Sequence, residues 1–433
     1  MERSLEALRK ELNYEKTNNC VQCGYCLPVC PTYMTMGKET HSPRGRINLV
    51  KMAGEGKITD LSVLEDPINL CLGCRACETA CPTGVEYGAI LESAKAALTR
   101  RKTFSVPVKT LRNVLFKKVF PSKKAMKVLG NGLWFYQKSG VQKAMQKVGV
   151  LEKLPYHMGT FEAITPNVVS PKERSSLPNR INARGKRKYT AAFFTGCIMD
   201  AMFQRINRLS IELLAIAGCD VVIVENQTCC GALHAHSGEI EEARELAKRN
   251  IIAFEQEKVD FIVNNAGGCG AMLYEYDHLL SDEAEWHERA KQFRMKSKDI
   301  SEVLDLCGGI PIEKGKAERV TYQRSCHLTN VQKVHKEPLK LIKAIPNVQL
   351  IEMNEAEMCC GSAGIYNVVN YEASMEILDK KMGNVKKTEA TTIITTNPGC
   401  LLQMKLGIER ENLSPQVRAL HLIEYLAEAA GIS

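Results

Sequence analysis

From residue 189 to the end of the chain, short apolar runs alternate with longer stretches whose apolar positions recur every three or four residues. Residues 190–195 read as a strand, followed by Gly196-Cys197 and a helix near 200–217. Residues 221–224 read as a second strand, then Cys229-Cys230-Gly231 and a helix near 238–257. A third strand at 261–263 leads into Gly267-Gly268-Cys269-Gly270 and another helix. The whole run then returns: strand 320–323 with Cys326-His327, strand 348–351 with Cys359-Cys360-Gly361, and strand 392–395 with Asn397-Pro398-Gly399-Cys400, each leading into a helix. Cys197 and Cys326, Cys229 and Cys359, and Cys269 and Cys400 stand 129, 130 and 131 residues apart, so the half is a duplication.

Strand, loop and helix in regular alternation predict parallel sheets flanked by helices, an α/β architecture. Ligands of such sheets gather beyond the carboxyl ends of the strands, where every repeated cysteine falls. Cys197, Cys229, Cys230 and Cys269 are therefore expected to converge, as are Cys326, Cys359, Cys360 and Cys400, each set as ligands of a further iron–sulfur cluster or a zinc. The competing reading is four small buried residues per repeat, since free cysteine packs well in cores. Cys219 and Cys307 have no counterpart across the repeat and read as core residues.

The other half begins with a helical stripe over 1–14, Leu5, Leu8 and Leu12 sharing a face. Two runs of C-x2-C-x2-C-x3-C-P follow, Cys20-Cys23-Cys26-Cys30-Pro31 and Cys71-Cys74-Cys77-Cys81-Pro82. This spacing holds [4Fe-4S] clusters in bacterial ferredoxins: three cysteines wrap one cluster, and the turn enforced by proline carries the fourth to the other. Cys20, Cys23, Cys26 and Cys81 are thus assigned to one cluster, and Cys71, Cys74, Cys77 and Cys30 to a second. Structural zinc prefers C-x2-C pairs and leaves the two four-cysteine runs unexplained. Between the runs, Ser42-Pro43-Arg44-Gly45-Arg46 opens a helix over 47–53, and another covers roughly 83–101, so this unit is helical. Arg44 and Arg46 either offset the anionic clusters or are solvated at a helix start.

Residues 101–185 are basic, with Lys109, Arg112, Lys117, Lys118, Lys123, Lys124 and Lys127 beside the apolar Val108, Leu111, Val114, Leu115 and Phe116. An amphipathic basic helix can rest on an anionic membrane, but a solvated outer face is the reading preferred here. Residues 165–188, with three prolines and a basic run, read as an exposed tether. The expected units are 1–100, a ferredoxin domain with two clusters; 101–188, a basic helical linker; and 189–310 and 311–433, the two cysteine-rich repeats.

Composition narrows the setting. Eighteen cysteines among 433 residues, grouped as C-x-x-C and Cys-Cys, suit metal thiolates in a reducing cytoplasm rather than disulfides, and the charged N-terminus lacks a signal-peptide core. No apolar run reaches the ~18 residues of a span. The formal charge of +9 falls to roughly +5 once two clusters at about −2 each are counted. With no aromatic-studded basic motif, nucleic acid is not an expected partner. Oxidising a hydroxylated carbon removes two electrons and needs a hydride acceptor, usually a flavin. The chain has no G-x-G-x-x-G after a strand and no Ser/His/Asp set, so no catalytic residue is assigned to it.

The arrangement resembles the family of iron–sulfur subunits of glycolate oxidase, which join a two-cluster ferredoxin unit to two "CCG" domains. Ser-Pro-Arg-Gly-Arg at 42–46 and Cys-Cys-Gly-Ala-Leu-His-Ala-His at 229–236 add to the likeness. The resemblance implies a partner subunit that carries FAD and oxidises glycolate to glyoxylate. It also implies a quinone or other electron acceptor, and a cytoplasmic site of action or one peripheral on the inner face of the cell membrane. The iron–sulfur subunit of anaerobic glycerol-3-phosphate dehydrogenase, lactate-utilisation proteins and heterodisulfide reductases share the layout. In the last, each repeat ends in C-x-x-C; here Ala266 and Asn397 replace the first of that pair, which argues against disulfide-reducing chemistry. His234, His236 and His327 are candidates to ligate or tune a centre.

Overall fold

The computed structural model describes residues 2–149, 151, 157–312 and 315–432; residues 150 and 152–156 of the basic region and 313–314 of the second repeat lie outside them. The N-terminal unit is helical, as its apolar spacing requires. Helices Glu2–Glu11, Pro43–Gly54 and Tyr87–Arg101 enclose Leu12, Ile47, Val50, Ile68, Ile90 and Leu91. The Ser42 hydroxyl accepts from Gly45 N at 3.0 Å and Pro43 occupies the first turn, so the Ser-Pro-Arg-Gly-Arg run is a helix start. Only glycine fits at Gly45, because a Cβ there would strike the Glu39 carbonyl. The second long helix begins at Tyr87 rather than 83, because Gly84 (φ +65°) ends the preceding turn in the left-handed region.

The repeats form two sheets with one topology. In the first, β1 (Arg180–Ile181), β2 (Tyr189–Phe193), β3 (Cys219–Ile223), β4 (Phe261–Asn264) and β5 (Ser297–Asp299) lie in the order β1-β3-β2-β4-β5. In the second, β6 (Glu318–Tyr322), β7 (Val348–Ile351), β8 (Thr392–Thr395) and β9 (Arg418–His421) lie in the order β7-β6-β8-β9. Dropping the antiparallel β1, the two orders coincide and all pairings are parallel. The strands β5 and β9 complete each sheet beyond the three read from sequence. Each ends in a capping box, Asp299 with Glu302 and His421 with Glu424, that starts the next helix.

The repeats share one core. Phe193, Leu214, Val263 and Leu304 of the first join Val320, Ile342, Leu401 and Tyr425 of the second. The loops after β4 and β8 bond to each other across this junction: Gly267 N donates to Thr396 O at 3.1 Å and Gly268 N to Asn397 Oδ1 at 3.0 Å. The carboxyl ends of the two sheets, and with them the cysteine loops, are thereby held together.

The basic region is packed rather than free. Helices Val106–Val114 and Lys123–Lys138 lie against the first repeat, the segment pinned by Arg112–Glu239 (2.7 Å) and Lys117–Glu242 (3.0 Å) ion pairs, and Val141–Val148 packs on Lys123–Lys138. Phe116 turns inward while Val106, Leu111 and Val114 stay exposed. The tether expected over 165–188 is not observed: β1 pairs with β3, and Arg174 is buried against the carbonyls of Asp200 and Ala201. Prolines and charge signalled a loop, but backbone pairing at the sheet edge and a buried arginine anchor the segment.

Candidate functional site

Two small cavities sit side by side in the N-terminal unit. Cys20, Cys23, Cys26 and Cys81 line the first; Cys30, Cys71, Cys74 and Cys77 line the second. Pro43, Cys77 and Tyr87 are walls to both. The crossed grouping arises as the turn geometry demands, because Pro31 and Pro82 each open a new turn that carries the fourth cysteine across. With Cys77 counted to the second cavity, four thiols remain for each, the donor set that a cubane cluster takes. Among the described residues, no three cysteine, histidine or carboxylate side chains converge tightly enough for a single metal ion.

The second cavity is the buried one. Arg46 lies beneath it, 1% exposed, donating from Nε to Pro67 O at 2.6 Å and from Nη2 to Thr32 Oγ1 at 3.1 Å. Burial alone would weaken this cation, yet the neighbouring Cys71 and Cys30 sulfurs hold its pKa above the usual value. Arg44 instead stays at the surface, paired with Glu39 at 2.7 Å and donating to Gln22 O in the first cysteine loop at 3.1 Å.

Both cysteine sets of the duplicated half gather as expected, at the carboxyl ends of their sheets. Cys197 Sγ lies 3.3 Å from Cys229 Sγ, and Cys230 reaches both Cys229 and Cys269. In the second repeat Cys359 reaches Cys326 and Cys360, and Cys360 reaches Cys400. Their surroundings differ. The second set is covered by the N-terminal unit: Cys74 packs with Cys326, Met358 and Cys359 in one buried cluster, and Asn330 Nδ2 donates to Cys74 O at 2.8 Å. The first set is covered by the basic region, with Met126 packed on the same cluster and Thr228 Oγ1 donating to Pro121 O at 2.6 Å.

Charge differs as well. Beneath the second set, buried Lys381 donates to the Glu355 and Ala356 carbonyls at 2.7 and 3.1 Å. Burial lowers its pKa to about 8, against the pull of the nearby Cys360, Cys359 and Cys400 sulfurs. The corresponding place in the first repeat holds neutral Asn250, whose side chain donates to Cys229 O at 3.0 Å. At helical spacing Lys381 stands between Ile377 and Val385 on the apolar face of the helix Tyr371–Lys386, unlike Lys380 and Lys386, a signal that marks it as inward-facing.

The three histidines separate. His234 is buried, donating from Nε2 to Phe116 O at 2.8 Å, with Nδ1 unpartnered. His327 Nδ1 lies 3.6 Å from Cys326 Sγ, and the His236 ring stands 5.4 Å from that of His327. Cys219 and Cys307, read as core residues, are buried and touch each other, Sγ to Sγ 3.6 Å.

A two-cluster ferredoxin unit feeding duplicated cysteine-rich α/β repeats defines an iron–sulfur subunit of an oxidoreductase complex. The family comparisons agree: residues 16–85 match the 4Fe-4S dicluster domain, residues 191–274 and 320–405 the cysteine-rich domain, and residues 107–165 the linker region of the glycolate oxidase iron–sulfur subunit. The chain is 50% identical to the probable glycolate oxidase iron–sulfur subunit of Bacillus subtilis, over 95% of this chain and 94% of that one. It is 29% identical to the glycolate oxidase iron–sulfur subunit of Escherichia coli, over 88% of each. Lactate utilization protein A of Geobacillus kaustophilus is 32% identical over 54% of this chain and 97% of its own. The chain belongs to the family of glycolate oxidase iron–sulfur subunits.

Proposed function

We propose that this chain is the electron-transfer subunit of a glycolate dehydrogenase, taking electrons singly from a partner's FAD after glycolate is oxidised to glyoxylate. Cys20, Cys23, Cys26 and Cys81 hold one [4Fe-4S] cluster, and Cys30, Cys71, Cys74 and Cys77 the other. When bound, these clusters supply one-electron redox chemistry; the chain's own residues position them and offset their charge. The observation that carries the reading is the continuity of sulfur sites, two adjoining cavities and then Cys74 packed against Cys359. Cys326, Cys359, Cys360 and Cys400 hold a third centre, whose negative charge Lys381 offsets. The first repeat, with Asn250 in that place and the basic region over its cysteines, is the structural partner of the second.

Iron, zinc and sulfide analysis of anaerobically purified protein tests this. The expected result is about twelve irons per chain and no zinc. About eight irons with stoichiometric zinc would instead make the second repeat a docking module.

We further propose a quinone as the acceptor, reached at a membrane surface. No helix among the described residues is long and apolar enough to cross a membrane. The helix Val106–Val114, however, exposes Val106 at 78% and Leu111 at 58%, with Lys109 and Lys118 beside them, the composition of a segment resting on anionic lipid. Val106→Asp with Leu111→Asp should lower co-sedimentation with anionic vesicles at least about fivefold at unchanged iron content. Equal sedimentation of both proteins would remove the membrane contact.

A further inference from the structure

A cavity of about 350 Å³ lies where the N-terminal unit, the first repeat and the second repeat meet, a size typical of sites for small organic ligands. It adjoins the second ferredoxin cavity, sharing Cys71, Leu72 and Arg75 as walls, but most of its lining comes from other segments. Its walls are largely apolar, with Leu91, Phe104, Leu233 and Tyr366 among them, and a few polar groups converge between: Glu92, Lys95, His236 and His327. Two sulfur sites border it. Cys71 of the second ferredoxin cavity is itself a wall residue, and so is His327, which contacts Cys326 of the second repeat.

Resting on the reading of this chain as an electron-transfer subunit, we propose that this cavity is the acceptor site, where a planar quinone-class molecule is reduced to its hydroquinone. The apolar walls are suited to the faces of a ring. The polar groups suit its two carbonyl oxygens, with His236 and His327, ring centroids 5.4 Å apart, able to donate hydrogen bonds. Reduction needs two electrons and two protons. Clusters bound at Cys71 and at Cys326 would supply the two electrons singly, the partner's flavin being their source. As they arrive, the two C=O bonds become C–O–H. Both protons enter in turn through Glu92, which solvent recharges through the open side of the cavity; burial and the neighbouring His327 push the His236 pKa well below the usual value, so its neutral ring serves as a hydrogen-bond donor. Glu92 suits this transfer, because burial and the nearby Glu275 raise its pKa to about 7 against the pull of Arg75 and Lys95. The rim includes exposed Lys102, Ile365 and Val369. Arg112 of the helix Val106–Val114 is a wall residue too, so a lipid-soluble acceptor has a short route in from the helix assigned above to the membrane surface.

The test uses cluster-loaded full-length protein and 2-heptyl-4-hydroxyquinoline N-oxide, a fluorescent quinone mimic. The proposal expects saturable quenching of the probe, displacement by a short-chain benzoquinone, and a change in the EPR spectrum of the reduced clusters on binding. Val369→Trp at the rim and Leu233→Trp in the wall should each weaken probe binding at least tenfold at unchanged iron content. Because Val369 is exposed, its variant reports even where Leu233→Trp disturbs folding. Glu92→Gln should lower quinone reduction at least tenfold while changing probe affinity less than threefold. Undiminished probe binding in Val369→Trp, or displacement by glycolate but not by benzoquinone, would overturn the site. Neither outcome touches the electron-transfer reading, which fails instead if glycolate-reduced complex leaves the clusters oxidised.

Discussion

Cys74→Ser is expected to leave glycolate able to reduce the partner's flavin while transfer onward to an external acceptor falls at least about a hundredfold, with about four irons lost per chain. Two separate facts put this residue first. Cys74 is one of the four thiols around the buried ferredoxin cavity, and its side chain packs with Cys326 and Cys359 of the second repeat. Replacing it removes a ligand and alters the junction at once, whereas Cys23, exposed in the first loop, affects only its own cavity. A serine hydroxyl at neutral pH is a poor substitute, because the ligand that a cluster needs is an anionic sulfur. The control is Cys219→Ser. Cys219 is as buried as Cys74 but packs only in the core against Cys307, so it should keep its iron and its rate. Stopped-flow absorbance separates the flavin phase from the acceptor phase. Acceptor reduction at the wild-type rate in Cys74→Ser would break the proposed path at its middle.

Much of this arrangement is legible in the sequence because its causes are local. The crossed cysteine grouping follows from the proline that ends each run, and the core strands of each repeat from continuous apolar blocks such as 261–263 and 392–395. The edge strands were harder to see. Ser297–Asp299 is three polar or charged residues, and Arg418–His421 is half charged or polar; both become strands because a parallel neighbour is already in place. Their capping boxes, Asp299 to Glu302 and His421 to Glu424, were the available local signal. The asymmetry of the duplication was not legible. Helical spacing puts both Lys381 and Asn250 on the apolar faces of their helices, but only the fold shows that each lies beneath a set of four sulfurs, a cation under one and an amide under the other. The three-way cavity likewise depends on how distant segments dock, which no spacing along the chain encodes.

Arg46 offers the sharpest test of how the protein sets the energy of the buried ferredoxin centre. The side chain is 1% exposed, donates to Pro67 O and Thr32 Oγ1, and faces the Cys71 and Cys30 sulfurs, so a cluster held there is the anion it meets. A cation beside a cluster favours the reduced state, which carries one more negative charge. Removing it must therefore lower the reduction potential. A unit charge at ~6 Å under an effective dielectric of ~20 amounts to about 3 kcal/mol. For one electron that is on the order of 100 mV. Arg46→Gln should thus shift the centre held by Cys30, Cys71, Cys74 and Cys77 downward by about that much. The other ferredoxin centre should move far less. Loss of the buried fork also leaves the Pro67 carbonyl unpaired, costing about 1–3 kcal/mol of stability. Arg46→Lys separates the two effects: it loses the fork geometry in the same way but keeps the charge, so its stability should fall while its potential stays within a few tens of mV of wild type. Redox titration followed by EPR reads both centres in one experiment. Equal downward shifts in the two variants would mean that Arg46 acts by shaping the cavity rather than by its charge.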